Sequence, residues 1–262
     1  MLKAVMRGRF GGKYLTMDDF NYSIHYDKIA KNGAPSAQWV AQRYCRQMDR
    51  WLPKNKAAKI LEIGPGNGLT LQALATSGYA AEAIEADKHL ADRLAGKNLN
   101  VLWVKASDTV LHLLAHPDTY DFIYAHHVIE HVPVEEQLDF ISAVKAALRP
   151  GGHFLCETPN ALGPIANWFR YGDWTHTSIF TPLSLEFLLA AGGLEPLYIG
   201  PTLGGRSPSY GQPVKATIEW LVSGSLLFLS RLIQRIHLVG ELRTAGLHVP
   251  LTAGLLGVGG KL

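Results

Sequence analysis

Apolar positions change period several times along the chain, and each change predicts an element. Ala34 to Leu52 brings Trp39, Val40, Tyr44, Met48 and Trp51 near helical spacing, which predicts an amphipathic helix. From Lys59 onward, short apolar runs alternate with helical stretches. Lys59–Ile63, Ala80–Glu85, Val101–Val104, Tyr120–Ala125 and His153–Glu157 read as strands. Between them Leu69–Ala75, Lys88–Leu94, Val110–Ala115 and Glu135–Leu148 read as helices, with Gly78 and Gly96 as their ends and Pro150-Gly-Gly152 closing the last. Strands separated by helices imply βαβ units. The expected fold class is therefore α/β: a doubly wound, mainly parallel sheet with helices on both faces.

After Pro159 the pattern loosens. Ala161–Ser178 reads as a loop or lid carrying Trp168, Phe169, Tyr171 and Trp174. Pro182–Ala191 is a helix and Glu195–Ile199 a strand, and the Gly- and Pro-rich residues 200–213 form a connection. Ile218–Leu242 resumes a long amphipathic helix, and Leu255–Val258 reads as a last strand. The expected organisation is an N-terminal arm over 1–33, a main domain over 34–200, and a C-terminal helical extension over 201–262 that returns a strand to the sheet. The apolar stripe of 218–242, with Arg231 and Arg235 alongside, suits a helix covering the sheet or a dimer face. It also suits an interfacial helix making peripheral membrane contact.

Composition narrows the function classes. With 47% hydrophobic residues in 262, the chain has material for a sizeable core, which excludes intrinsic disorder. A net charge of +3 argues against a nucleic-acid partner. Two cysteines exclude a disulfide scaffold and a cysteine-rich zinc module. The basic residues Lys3, Arg7, Arg9 and Lys13 are not followed by the apolar run of a secretory signal, and no uncharged stretch has membrane-spanning length. The expectation is a cytoplasmic protein. Seven of the eleven histidines fall between His112 and His176, and imidazole is the commonest catalytic and metal-binding side chain.

The first chemistry-bearing motif is Leu61-Glu62-Ile63-Gly64-Pro65-Gly66-Asn67-Gly68, between the first strand and the first helix. A glycine turn there brings backbone close to a ligand at a helix N-terminus, where free N–H groups point outward. Leu69 stands where a dinucleotide fingerprint needs its third glycine, which argues against an NAD-dependent oxidoreductase. Glu85 ends the second strand 21 residues after Gly64, a position from which a carboxylate can accept from both ribose hydroxyls of a nucleoside.

These residues resemble the class I S-adenosylmethionine-dependent methyltransferases over roughly residues 36–200. The resemblance extends through Tyr120-Asp-Phe-Ile123, Glu130-His-Val132 and Leu148-Arg-Pro-Gly-Gly152, while Thr158-Pro-Asn160 and Phe180-Thr-Pro182 narrow it to the group with ubiquinone-type and sugar-tailoring O-methyltransferases. It implies a seven-stranded sheet with the last strand antiparallel. It also implies S-adenosylmethionine as cofactor, with Gly64 and Gly66 at its methionine end, Glu85 on its ribose, Asp108 at its adenine edge, His126 beside it and Glu62 among the cofactor-binding residues. The implied reaction is O-methylation of a small-molecule hydroxyl, on a sugar or glycan precursor, with a quinol or phenol as the rival. A partner subunit that binds the cofactor without catalysis is the alternative from another class. His127-Val-Ile-Glu130-His131 also spells an inverted zinc-protease motif, but that motif belongs on a long helix and here follows a strand. By resemblance, His127, Glu130, His131 and His176 would hold a divalent metal. Its softness follows from His127 standing where the family has glutamate. Without a metal, His131 or His176 would serve as the base.

Overall fold

The computed structural model of the chain describes residues 8–10, 13–15, 22, 37–163, 165–202 and 254–262. A seven-stranded sheet is built from β1 (Lys59–Ile63), β2 (Ala80–Glu85), β3 (Val101–Trp103), β4 (Tyr120–His126), β5 (Leu148–Pro159), β6 (Glu195–Pro201) and β7 (Gly254–Gly260). Its order is β3-β2-β1-β4-β5-β7-β6. All pairs from β3 to β5 are parallel, and β7 lies antiparallel between β5 and β6. The helices are α1 (Ala37–Met48), α2 (Leu69–Thr76), α3 (Lys88–Ala95), α4 (Thr109–Leu114), α5 (Gln137–Ala147), α6 (Ala166–Gly172) and α7 (Pro182–Ala191). A two-stranded antiparallel ribbon, Gly8–Phe10 with Lys13–Leu15, precedes them.

Residue parity along the central strands decides which side chain faces which helix layer. Leu61, Ile63, Ile123, Ala125, Phe154 and Cys156 join Phe140, Ile141 and Val144 of α5 and Leu185 and Leu189 of α7 in one cluster. Their neighbours in sequence, Ile60, Phe122, Tyr124 and Leu155, face the other way and pack with Met48 of α1 and Leu71 and Leu74 of α2. Covered on both faces, the strands are near-continuous apolar runs rather than alternating ones, as a parallel sheet requires.

Gly78 and Gly96 end the helices as expected, Gly78 at φ 85° and Gly96 right-handed at φ −61°, with Asn98 left-handed at φ 59° two residues further on. Asparagine tolerates that conformation nearly as glycine does. Pro150-Gly-Gly152 does not close a helix; it lies within β5, where Gly151 N–H donates to Lys261 C=O at 2.7 Å and Lys261 N–H donates to Gly152 C=O at 3.0 Å. The lid read over 161–178 contains a helix of its own, α6. The expected helix over 218–242 lies outside the described residues. No helix among the described residues is long and apolar enough to cross a membrane.

The last strand is glycine-rich because it is sealed on both sides. A Cβ on Gly257 would lie 2.8 Å from Leu185 Cδ2 and 3.2 Å from Cys156 Sγ. Gly257→Val should therefore destabilise the fold by about 1–3 kcal/mol through overpacking. Denaturant unfolding with unchanged stability would show that β7 has slack.

Candidate active site

The sheet order reverses between β1 and β4, and in open α/β sheets the crevice outside the carboxyl ends of the strands at such a point takes ligands. The loop Gly64–Gly68 leaves β1 at this point. Gly64 has φ 68°, and a Cβ there would meet Val128 Cγ2 of the turn after β4 at 2.8 Å. Gly68, at φ 72°, begins α2 without any side-chain cap. Only glycine permits both the left-handed backbone and the close approach.

Two acids lie beneath this loop. Glu85 is buried, accepting from Gly66 N–H at 3.2 Å on Oε2 and from Asp87 N–H at 2.9 Å on Oε1. Burial pushes its carboxyl up to about 7 although those amides pull the other way. Glu62 is buried too, and its Oε2 has no hydrogen-bond partner. Burial, and next the carboxyl of Glu85, push it up to about 8.

On the outer side, Asp108 is exposed in a single helical turn, Ala106–Asp108, before α4. With Trp103, Val104, Lys105, Leu111 and His112 it lines a cleft of about 450 Å³. Glu85 and Trp103 are register partners on adjacent strands, so the cleft begins where Glu85 ends.

The other side of the crevice belongs to the segment after β4. His126 is the last residue of that strand; its Nε2 lies 3.3 Å from Glu157 Oε2 but is buried without hydrogen-bond geometry. Burial pushes its imidazole below the ordinary value, outweighing that carboxylate. Glu157, on β5, receives Arg43 at 2.7 Å and Gln47 at 2.5 Å, both from α1. Burial raises the Glu157 carboxyl, but His126, His127 and Arg43 outweigh it and hold the group well below the carboxylate range.

His127 departs from the expected one-sided arrangement. A helical turn would carry positions 127, 130 and 131 to one side, yet the chain enters a turn with His127 left-handed at φ 52°. Its N–H donates to Glu157 C=O at 2.8 Å, and its Nδ1 lies 2.8 Å from Glu130 Oε1. Glu130 is fully buried, and its Oε2 accepts from Thr158 Oγ1 at 3.1 Å. Burial works against both ions of this pair, but their mutual hydrogen bond wins: the imidazole of His127 is raised and the carboxyl of Glu130 lowered.

The lid brings the remaining members. The backbone carbonyl of Glu130 accepts from Thr177 N–H at 2.8 Å and from Thr177 Oγ1 at 3.0 Å, which fastens residues 173–178 over the β4 turn. His131 and His176 then meet edge to face, with ring centroids 4.6 Å apart. His176 Nδ1 lies 2.6 Å from Phe169 C=O, an acceptor only, so that nitrogen carries the proton and Nε2 is the basic one. Burial lowers the imidazole of His131 more than Glu130 raises it.

Of the four expected metal ligands, Glu130, His131 and His176 each place a ligand-capable atom within 4.8 Å of the others. His127 falls instead into a second group with His126 and Glu157. Residue patterns missed Tyr22, Asp173 and Thr175. Tyr22 Oη lies 2.7 Å from Thr175 Oγ1 and 3.3 Å from His131 Nδ1, and nothing in their spacing along the chain connects positions 22, 131 and 175.

A doubly wound sheet with a glycine loop after β1 and an acid closing β2 is the architecture of an open α/β fold that binds ligands at its switch point. The chain belongs to the methyltransferase-domain family, whose model matches residues 36–199. It is an S-adenosylmethionine-dependent methyltransferase. Over 172 residues it is 30% identical to a ubiquinone biosynthesis O-methyltransferase of Dinoroseobacter shibae, covering 60% of this chain and 68% of that one. A protein of the same name from Cereibacter sphaeroides is 27% identical over 181 residues, covering 61% and 69%. Among solved structures, an S-adenosylmethionine-dependent methyltransferase from Archaeoglobus fulgidus shares the fold with a TM-score of 0.62 at 18% identity, covering 92% of this chain and 99% of that one.

The acid pair makes a prediction with a definite sign. The folded state binds the Glu62 proton more tightly than the unfolded chain, whose ordinary value is 4.5. The stability this contributes is complete below that value and is lost as pH rises towards about 8. Cofactor-free Glu62→Gln should therefore gain in melting temperature over the parent protein as pH is raised across that window. Parallel curves for the two proteins would refute the assignment.

Proposed function

We propose that this enzyme transfers the methyl group of S-adenosylmethionine to a hydroxyl oxygen of a small molecule. The observation that carries the reading is the pairing of two unlike environments across one crevice. The carboxyls of Glu62 and Glu85 border the glycine loop, and the imidazoles of His131 and His176 border the lid. The cofactor is a nucleoside bearing an ammonium and a sulfonium. Glu62, with its orphaned oxygen, faces the cationic methionine end, and Glu85 takes the ribose hydroxyls while still bracing Gly66. Asp108 and Trp103 border the adenine cleft, and His126 lies beside the cofactor. Transfer to oxygen is an in-line displacement in which sulfur leaves and the hydroxyl loses its proton. His131 takes that proton, with His176 beside it.

The acceptor class placed first is a quinol or other phenol, which similarity to the ubiquinone biosynthesis O-methyltransferases favours. A sugar hydroxyl is the second. Exposed Trp168, Tyr171 and Trp174 offer aromatic faces on which either ring can stack.

A second reading rests on the Glu130–His131–His176 cluster. Two imidazoles and one carboxylate make a donor set for manganese, iron or zinc rather than magnesium. The Nδ1 proton of His176 is held by a backbone carbonyl, as is usual for a metal-bound histidine. These residues fit an ion, and it would acidify a hydroxyl brought to it.

Incubation with methyl-labelled cofactor and a panel of catechols, quinols and nucleotide sugars, read by mass spectrometry, tests the reaction. Product on a carbon or nitrogen, or none, would overturn it. Full turnover in chelator with His131→Ala inactive selects the base, whereas loss in chelator with restoration by one metal selects the ion. Separately, Glu85→Ala should weaken S-adenosylhomocysteine binding roughly tenfold to a hundredfold, about 1.5–3 kcal/mol. Calorimetry giving an unchanged affinity in the folded variant would remove Glu85 from ribose recognition.

A further inference from the structure

Around Thr175 the hydrogen-bond directions have one consistent solution. Its Oγ1 lies 2.6 Å from Asp173 Oδ1, which also accepts from the Thr175 N–H at 2.9 Å. A hydroxyl has one proton and two lone pairs, and the carboxylate takes the proton. Both lone pairs must then be met by donors. The neighbours in reach are Tyr22 Oη at 2.7 Å and His131 Nδ1 at 2.9 Å. Both therefore donate to Thr175, and the imidazole proton of His131 sits on Nδ1. The opposite tautomer would set the lone pairs of Nδ1 and Oγ1 against each other at 2.9 Å inside a buried pocket.

We infer that Asp173 and Thr175 are positioning residues for His131: the chain Asp173–Thr175–His131 fixes the Nδ1–H tautomer and leaves Nε2 as the nitrogen that takes a proton or binds a ligand. The inference rests on the reading of His131 as the working imidazole. Thr175 and His176 are both buried, and Arg170 donates to the carbonyls of His176 and Thr177 at 2.6 and 3.3 Å. The relay is therefore held by the lid's own backbone. His176 obtains the same tautomer from Phe169 C=O, so two independent acceptors leave two basic Nε2 atoms in one pocket.

The test is nitrogen-15 NMR of histidine-labelled full-length protein with S-adenosylhomocysteine bound, His131 assigned by its loss in His131→Ala. The parent protein should show a protonated Nδ1 and a bare Nε2 for His131. Thr175→Val keeps the shape without the hydroxyl and should shift the tautomer towards Nε2–H; Thr175→Ser should restore the parent signature. A parent spectrum with the proton on Nε2 overturns the inference with no variant needed, and so does a Thr175→Val spectrum unchanged from the parent. If His131→Ala transfers methyl groups at the parent rate, the role of His131 falls while the tautomer assignment stands, which separates the two failures.

Discussion

A carboxylate buried as completely as that of Glu130 is a heavy cost unless its oxygens are paired, and pairing it ties three parts of the molecule together. One oxygen meets His127 in the turn after β4, and the other meets Thr158 at the end of β5. The residue's own carbonyl receives Thr177 from the lid. The left-handed backbone of His127 follows from this constraint. That conformation costs about 1 kcal/mol for a residue other than glycine, and here it aims the imidazole at Glu130 while its N–H reaches Glu157. The lid is thus fastened to the β4 turn by hydrogen bonds to the backbone carbonyl of Glu130 and not only by apolar contact.

The acids under the glycine loop follow a different logic. Glu85 is met by two backbone amides, whereas Glu62 keeps one oxygen unpartnered, and among the described residues no basic side chain is hydrogen-bonded to either. In the free protein this arrangement favours protonation, as the upward displacement of both carboxyls shows. A cationic ligand would reverse that preference by supplying the missing charge beside buried carboxyls.

What the amino-acid pattern reveals depends on how local the causes are. β1 and β2, and the helix after Thr181, sit where apolar runs, Pro182 and the Thr181 cap place them, since each is decided within a few residues. The glycine loop and Glu85 were legible for the same reason: backbone geometry and strand ends are written in neighbouring residues. His127 was misplaced because spacing assumes a helix, and a buried carboxylate three residues on bends the chain otherwise. Asp173, Thr175 and Tyr22 were invisible. Their bond to His131 spans 44 residues in one case and 109 in the other, and an ordinary threonine or tyrosine carries no mark of such a partner.

The segment ahead of the sheet is thereby part of the site rather than an appendage to it. Arg43 and Gln47 of α1 hold Glu157, Tyr44 packs against the ring of His126 with centroids 4.0 Å apart, and Tyr22 completes the shell of Thr175. Each contact is polar or aromatic and falls on a group that the sheet alone would leave buried with an unmet need. Glu157 is the clearest instance: Arg43 and Gln47 meet both oxygens of a carboxylate shut into the fold. A cover laid over buried polar groups must bring its own hydrogen-bond partners. The residues before β1 do this for the β4 and β5 ends, and the lid does it for His131. The two covers meet at Thr175, where Tyr22 and Asp173 share one hydroxyl.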